Sequence, residues 1–342
     1  MYIGVGGKAR LCYSAELERY GMAAALSTAR YDMRAATVGK YALFAGGLAP
    51  NPFFGENASS SVDAYNTSLT KSTPTELSCK RCGHAAASVG GYALFAGGAS
   101  SYNLLNFYEN LVSAVDAYDA SLTRSAAHII GATVAIGGAA VGNYALFAGG
   151  TVYSQINEDN VTSDVLAYDP SLTFTTAPLL SVARANVKGA SAGNYALFAG
   201  GRAGSFCTTV DAYNASLTRT TATALSSTKN NSAAATVGNH AIFVGNTASA
   251  DIYDASLTKT SAAILSTART GLAATTVGDY AIFSGGGVAD FCDASLTRSS
   301  IGTSMTGYDM GAATIGDYAL FAGGYSDEKS VTIYDSVEVY TA

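Results

Sequence analysis

Apolar and polar residues along this chain fall into short runs that return at regular intervals. The clearest run is Tyr-Ala-Leu-Phe-Ala-Gly-Gly, at 41–47, 92–98, 144–150 and 195–201. It weakens at His240–Asn246 and Tyr280–Gly286 and returns intact at Tyr318–Gly324. The first residues of successive copies are 51, 52, 51, 45, 40 and 38 positions apart. An apolar run of this length, bounded by glycines, predicts a strand covered on both faces. Each copy is followed by an alternating Val-Asp-Ala-Tyr segment, as at 62–65, whose side chains face opposite ways in an extended chain. Two further segments complete each period: a Thr-x-Thr-Ala-x-Leu-Ser stretch, and an Ala-Ala-Thr-Val stretch that leads into the next copy.

In order the four segments are A (Ala-Ala-Thr-Val), B (Tyr-Ala-Leu-Phe-Ala-Gly-Gly), C (Val-Asp-Ala-Tyr) and D (Thr-x-Thr-Ala-x-Leu-Ser). The A–B joint is short and glycine-centred, as a tight hairpin requires. The C–D joint, Asp/Asn-Ala-Ser-Leu-Thr, opens with side chains that bond nearby backbone groups and so nucleate turns. Four antiparallel strands per period of about 40–50 residues mark one blade of an all-β β-propeller. Seven B copies give seven blades. A worn copy in Tyr2–Gly7 leaves eight open. An open solenoid is the competing architecture, but it needs polar caps at both ends. The whole chain, 1–342, reads as one β-propeller domain, with blade-closing N-terminal strands in about 1–28 and repeats in about 29–342. The C-terminus supplies A, B and a final C (336–340) and then stops. The segment Gly21–Thr28 resembles a D, so we expect it to complete the last blade and remove an open sheet edge.

Composition agrees. The 342 residues are 49% hydrophobic and 13% charged, with 37 Gly, 22 Tyr, 5 Pro and no Trp. That is too apolar for a disordered chain and suits sheets buried on both faces. The net charge is −6, and no Lys/Arg cluster tracks a phosphate backbone, so nucleic acid is not an expected partner. No apolar run reaches membrane-span length, so no membrane insertion is expected. The first ten residues lack the basic and apolar regions of a secretory signal, which favours the cytoplasm or a particle assembled there, such as a virion. Cys12, Cys79, Cys82, Cys207 and Cys292 are irregularly placed and form no disulfide framework.

Gly-Gly ending a strand, then Val-Asp-x-Tyr-Asp/Asn after a variable loop, resembles the Kelch repeat over nearly the whole chain. The likeness is greatest to highly repetitive Kelch-like proteins of gut bacteria and their phages. One departure is that Leu225 and Leu265 stand where strand D of that family carries a Trp. The resemblance implies a Kelch-type seven-bladed propeller that binds partners on the face bearing the B–C and D–A joints.

Comparison of the copies points to the same face. The A–B and C–D joints keep nearly constant length. The B–C loops do not: they span 48–61, 99–114, 151–164, 202–209 and 325–336, and are very short in blades five and six. Variable loops on a rigid scaffold carry function. We take as candidate binding residues Phe53, Phe54, Tyr102, Phe107, Tyr108 and Tyr153 in these loops, together with Tyr31, Asp32, His84, Asn186, Asn230, Tyr308 and Asp309 in the D–A joints. Tyr with Asn and Asp combines apolar area with polar tips. The recurrent Arg30, Arg184, Lys229 and Arg269, with Arg81, are either a cation ring near the pore or structural bonds to neighbouring carbonyls. Recurrence favours the second. The Asp of each C segment reads as solvent-facing or inter-blade.

Catalytic chemistry is not legible. Cys79-Lys-Arg-Cys82-Gly-His84 lacks the second ligand pair of a zinc site. Three histidines, His84, His128 and His240, offer no triad that can be singled out. The glycine-rich runs lack the Lys-Ser/Thr of a phosphate loop. No cofactor is expected. The leading reading is a non-enzymatic binding scaffold for a protein or glycan. The alternatives are an adhesive, receptor-binding head of a phage or cell surface, and a sugar-processing propeller enzyme.

Overall fold

A computed structural model describes residues 17–51, 55–102, 108–128, 130–131, 133–152, 160–229, 233–326 and 332–342. Seven four-stranded antiparallel sheets stand in a ring, a seven-bladed β-propeller. In blade I the order outward from the centre is A (Arg34–Val38), B (Tyr41–Ala45), C (Val62–Asn66) and D (Lys71–Ser72). The A strands of blades II to VII are Ala85–Val89, Gly137–Val141, Lys188–Ala192, Ala233–Val237, Ala273–Val277 and Gly311–Ile315. Each A strand packs against the A strands on either side, so the inner wall is continuous.

Blade VII is closed by the other end of the chain. Its A, B and C strands, Gly311–Ile315, Tyr318–Ala322 and Val337–Thr341, are joined by Glu18–Met22 as the outer strand, with Glu18 opposite Thr341 and Met22 opposite Glu338. Closure by the N-terminal segment is as expected, but the pairing residues lie earlier than Gly21–Thr28. Only Gly21 and Met22 of that stretch are in the strand. Ala23 and Leu26 then donate to the Val337 and Asp335 carbonyls as the chain turns inward, and Leu26 is buried. The Leu-Ser signature therefore marks the inward-turning strap after strand D, as Leu225 does after Arg219–Ala222. The worn copy in Tyr2–Gly7 lies outside the described residues.

Both constant turns have a local cause. Gly39 in the first A–B turn has φ 54°, and a Cβ there would stand 2.9 Å from Cβ of Ala120 in the next blade. A left-handed conformation and a close neighbour together exclude a side chain. At the C–D turn of blade II, Asp119 Oδ1 accepts bonds from the Ser121 and Thr123 amides at 2.8 and 2.9 Å. Leu122 between them is left-handed (φ 63°), and its side chain packs on the core shared by blades I and II. The Asx bonds and that apolar contact hold a leucine where a glycine would be less strained.

The core lies between blades. Leu43, Ala45, Val62 and Ala64 of blade I pack with Ala93, Phe95 and Tyr118 of blade II. Within a blade, Phe of strand B meets Tyr of strand C edge-on, as in Phe44–Tyr65 (5.8 Å) and Phe95–Tyr118 (5.9 Å). The Tyr hydroxyl then reaches the strap of the preceding blade: Tyr65 donates to Ala24 O and Tyr118 to Thr75 O.

Beside Tyr65 is a buried charge cluster. Asp63 accepts bonds from Ser27 N and Oγ and pairs with Arg30 at 2.8 Å and Lys71 at 3.7 Å; Asp63 and Arg30 are fully buried. Ser27 and Arg30 come from the strap of the preceding blade, so the cluster fastens blade VII to blade I. The arrangement recurs at Asp116 with Ser78, Arg81 and Arg124; at Asp211 with Ser181, Arg184 and Arg219; at Asp251 with Ser226, Lys229 and Lys259; and at Asp290 with Ser266, Arg269 and Arg298. Asp251 shows the balance: burial disfavours its charge, but the Ser226 bonds, with Lys229 and Lys259, hold its pKa below the usual value. The recurrent Arg/Lys are thus structural, bonded both to Asp and to carbonyls such as Phe44 O. Blade III replaces the whole cluster with Thr133, Leu166 and Phe174, and blade VII uses Glu338 with Ser304 and Arg19.

A second ring lies on the inner wall. Thr37 Oγ1 donates to Thr314 O, Thr314 to Thr276 O, Thr276 to Thr236 O, Thr236 to Ser191 O, and Ser191 to Ala140 O; Ser88 donates to Thr37 O. Six of the seven A strands thus bond to the neighbour before them. The gap is at Ala140, which has no hydroxyl to offer Ser88 O.

Two outcomes follow. Asp211→Ala leaves Arg184 buried and uncompensated, and is expected to lower stability in urea unfolding by about 3–5 kcal/mol. Adding Arg184→Thr and Arg219→Phe, with Leu at 211, copies blade III and should recover most of the loss. Ala140→Ser should complete the hydroxyl ring and raise stability by about 0.5–1.5 kcal/mol in the same measurement.

Candidate functional site: the hairpin face and the channel mouth

The B–C connections of four blades are short β-hairpins. Leu48–Asn51 pairs with Gly55–Ala58, Ala99–Tyr102 with Tyr108–Leu111, Arg202–Ala203 with Ser205–Phe206, and Tyr325–Ser326 with Thr332–Ile333. In blade III, Thr151 bridges to Val161. Each connection is also bridged to the D–A joint beside it: Tyr31 to Leu48, Cys82 to Ala99, Val134 to Thr151, Ala185 to Arg202 and Tyr308 to Tyr325. These bridges put the B–C and D–A joints on one face. Blades V and VI pass from B to C directly, from Val244 to Ser249 and from Gly285 to Val288. The hairpins therefore form an arc over blades VII, I, II, III and IV, open above V and VI.

The candidate residues fall in different places. Tyr31, Tyr308 and Tyr325 form an aromatic cluster across blades VII and I, with ring centroids of Tyr31–Tyr325 and Tyr308–Tyr325 at 4.7 and 6.5 Å. Tyr102 packs on Leu48, Ala58 and Cys82, and so pins one hairpin to the next. Phe53, Phe54, Phe107, Tyr153 and Asn230 lie outside the described residues. For Tyr108 only the strand pairing with Tyr102 is described. His84 is fully buried, away from the surface that a ligand would meet. It occupies the inter-blade position held elsewhere by Met33, Ile136, Val187, Leu272 and Met310, an apolar ring into which the sequence places one imidazole.

Asp32, Asn186 and Asp309 come together at the mouth of the central channel. With Gly83, Ala135 and Gly271 they form a series of left-handed residues, φ 50–67°, one in each of the six D–A joints described at this position. Their amides run round the ring: Asp32 N to Asp309 O, Asp309 N to Gly271 O, Ala135 N to Gly83 O, and Asn186 N to Ala135 O, at 2.7–2.9 Å. Gly83 N instead bonds the Asp32 carboxylate at 2.9 Å. The left-handed turn aims each amide at the preceding blade and redirects the chain down strand A.

Below this girdle the channel is lined by A-strand residues. An upper cavity of about 210 Å³ includes Arg34, Asn186 and Lys188 among small and larger apolar residues such as Met33 and Met310, and a lower one of about 370 Å³ is ringed by Thr37, Thr236, Thr276 and Thr314. The wall is tight: a Cβ on Gly189 would stand 2.1 Å from the Gly138 carbonyl oxygen. Arg34 pairs with Asp32 at 2.9 Å. Burial, and then repulsion from Arg34, pushes the Lys188 ammonium down to about 8 against the pull of Asp309 and Asp32. Burial, and then Asp32, raises the Asp309 carboxyl, with Lys188 and Arg34 opposing. Both side chains keep some surface because the channel is open, yet its walls crowd out most of their water. Sequence reasoning missed Arg34 and Lys188. The first A-strand position reads Arg34, Ala85, Gly137, Lys188, Ala233, Ala273 and Gly311, and this comparison of copies would have exposed them.

No family model matches the chain, and no curated protein matches its sequence.

His84 makes a pH prediction. Neither ring nitrogen reaches a hydrogen-bond partner. Burial, followed by Arg34 and Arg81, holds its pKa well below 6.5, outweighing the nearby Ala45 carbonyl, which lies outside hydrogen-bonding geometry. The folded state therefore keeps His84 neutral while the unfolded chain takes up a proton. Stability is expected to fall as pH drops below about 6.5, by up to about 1.4 kcal/mol per unit from this group. His84→Met, the residue at positions 33 and 310, should remove that difference in urea titrations between pH 5 and 7; identical slopes for both proteins would refute it.

Proposed function

We propose that this protein is a non-enzymatic binding module whose hairpin face takes a protein or glycan ligand. One observation carries the reading: variation among the seven blades concentrates in the B–C connections, all on one face, while the A–B and C–D turns of the other face keep their length and chemistry. Repeats under a folding constraint alone would have no cause to vary one face only. The tyrosine cluster of blades VII and I supports the reading, since aromatic rings with polar tips bind with little ordering cost. So does the resemblance to Kelch repeats, which implies partners on this face.

The test uses blade VI as a template, where Gly286-Gly287 joins Gly285 to Val288. Gly97 and Ala114 occupy the matching positions in blade II. Replacing 98–113 by Gly-Gly is expected to preserve cooperative unfolding and the β-rich circular dichroism spectrum. Screening both proteins on a glycan array and by pull-down should show a ligand of the parent that the variant binds at least tenfold more weakly. Loss of folding would show the hairpin to be core, and silence in both screens would overturn the binding role.

A further inference from the structure

We propose that the channel mouth is a separate site for a small zwitterion of the free amino-acid class, with its carboxylate on Lys188 and its ammonium on Asp309. The first ground is comparison among the blades. At the position of Lys188, five of the seven blades carry Ala or Gly, and at that of Asp309, blades II, III and VI carry Gly, Ala and Gly. The ring closes on small residues there, so these charges are not required by the fold.

The second ground is that both charges are unspent. The cations of the recurrent strap position, from Arg30 to Arg269, are each paired with a buried carboxylate. Among the described residues, neither the Lys188 ammonium nor the Asp309 carboxylate has a hydrogen bond or an ion pair, although each feels the other's charge across the channel. Crowded charges without partners are costly, and a ligand carrying the complementary pair would offset that cost.

The third ground is charge and size. The Asp32–Arg34 pair beside them is neutral in sum, and so is the site as a whole. It is a dipole and favours neither a net anion nor a net cation. The upper cavity of about 210 Å³, which Lys188 lines and which Asp309 adjoins through its neighbour Met310, is below the range of about 300–1,000 Å³ that holds drug-sized ligands, and suits a single amino acid. Asn186 is exposed at the rim, and no hairpin stands above blades V and VI to cover the opening.

This site is distinct from the hairpin reading, and the protein with 98–113 excised should keep it. The experiment is calorimetric titration and thermal-shift measurement on the full chain at pH 7 with the twenty L-amino acids, and with the amide and N-acetyl derivative of any that binds. We expect saturable binding of at least one amino acid, at least tenfold weaker for both derivatives. Lys188→Ala and Asp309→Gly install residues already present at equivalent positions, so both variants should fold, and each should weaken binding at least tenfold. Absence of any amino-acid ligand, full affinity in either variant, or a derivative that binds as well as its parent would each overturn the proposal.

Discussion

The ring depends on the buried Asp of strand C, or on whatever stands in for it. No blade owns a core, because each apolar cluster is shared between adjacent sheets. A blade must therefore be held in register with its neighbour before its apolar faces are covered. The carboxylates of Asp63, Asp116, Asp211, Asp251 and Asp290 do this by reaching outward to their own strand D and back to the strap of the blade before. Ion pairs of this kind add little net stability over apolar packing, but they penalise misplacement heavily. Blade III supports that view. Leu166 and Phe174 replace the pair there, and the blade keeps its geometry.

Closure makes this constraint global. A ring of seven admits no error that accumulates, and three concentric bonding systems enforce the spacing. The carboxylate clusters work at the outer strands, the hydroxyl ring joins the inner strands, and the left-handed girdle joins the D–A joints around the mouth. The girdle also shapes the site. Its left-handed turns set the side chains at positions 32, 186 and 309 around the channel, and the next residues but one, Arg34 and Lys188, enter the wall. The same turns send the chain past the B–C hairpins, so the mouth and the hairpin arc share one face.

Much of this was legible in the sequence, for a physical reason. Strand, turn and strap are local, and a seven-fold repeat states each of them several times over. The Tyr-Ala-Leu-Phe-Ala run, the Asx turns and the segregation of variable joints to one face all follow from residues close in sequence. The recurrence of Arg and Lys also pointed to structure before their partners were known. His84 was misjudged because its joint is exposed in general, while that one position within the joint faces the core. Arg34 and Lys188 were overlooked because each is an ordinary charged residue at the start of a strand.

The sequence by itself determined the blade, its sevenfold recurrence and the face that varies, since each is set by local periodicity repeated along the chain; that the ring closes at seven came from the structure. Only the tertiary structure decided what the ring encloses. Residues 32, 188 and 309 lie far apart in the chain, and nothing local relates them. Closure by Glu18–Met22 brings blades VII and I together and sets blade IV across the channel from them. That juxtaposition turns isolated side chains into a charged mouth.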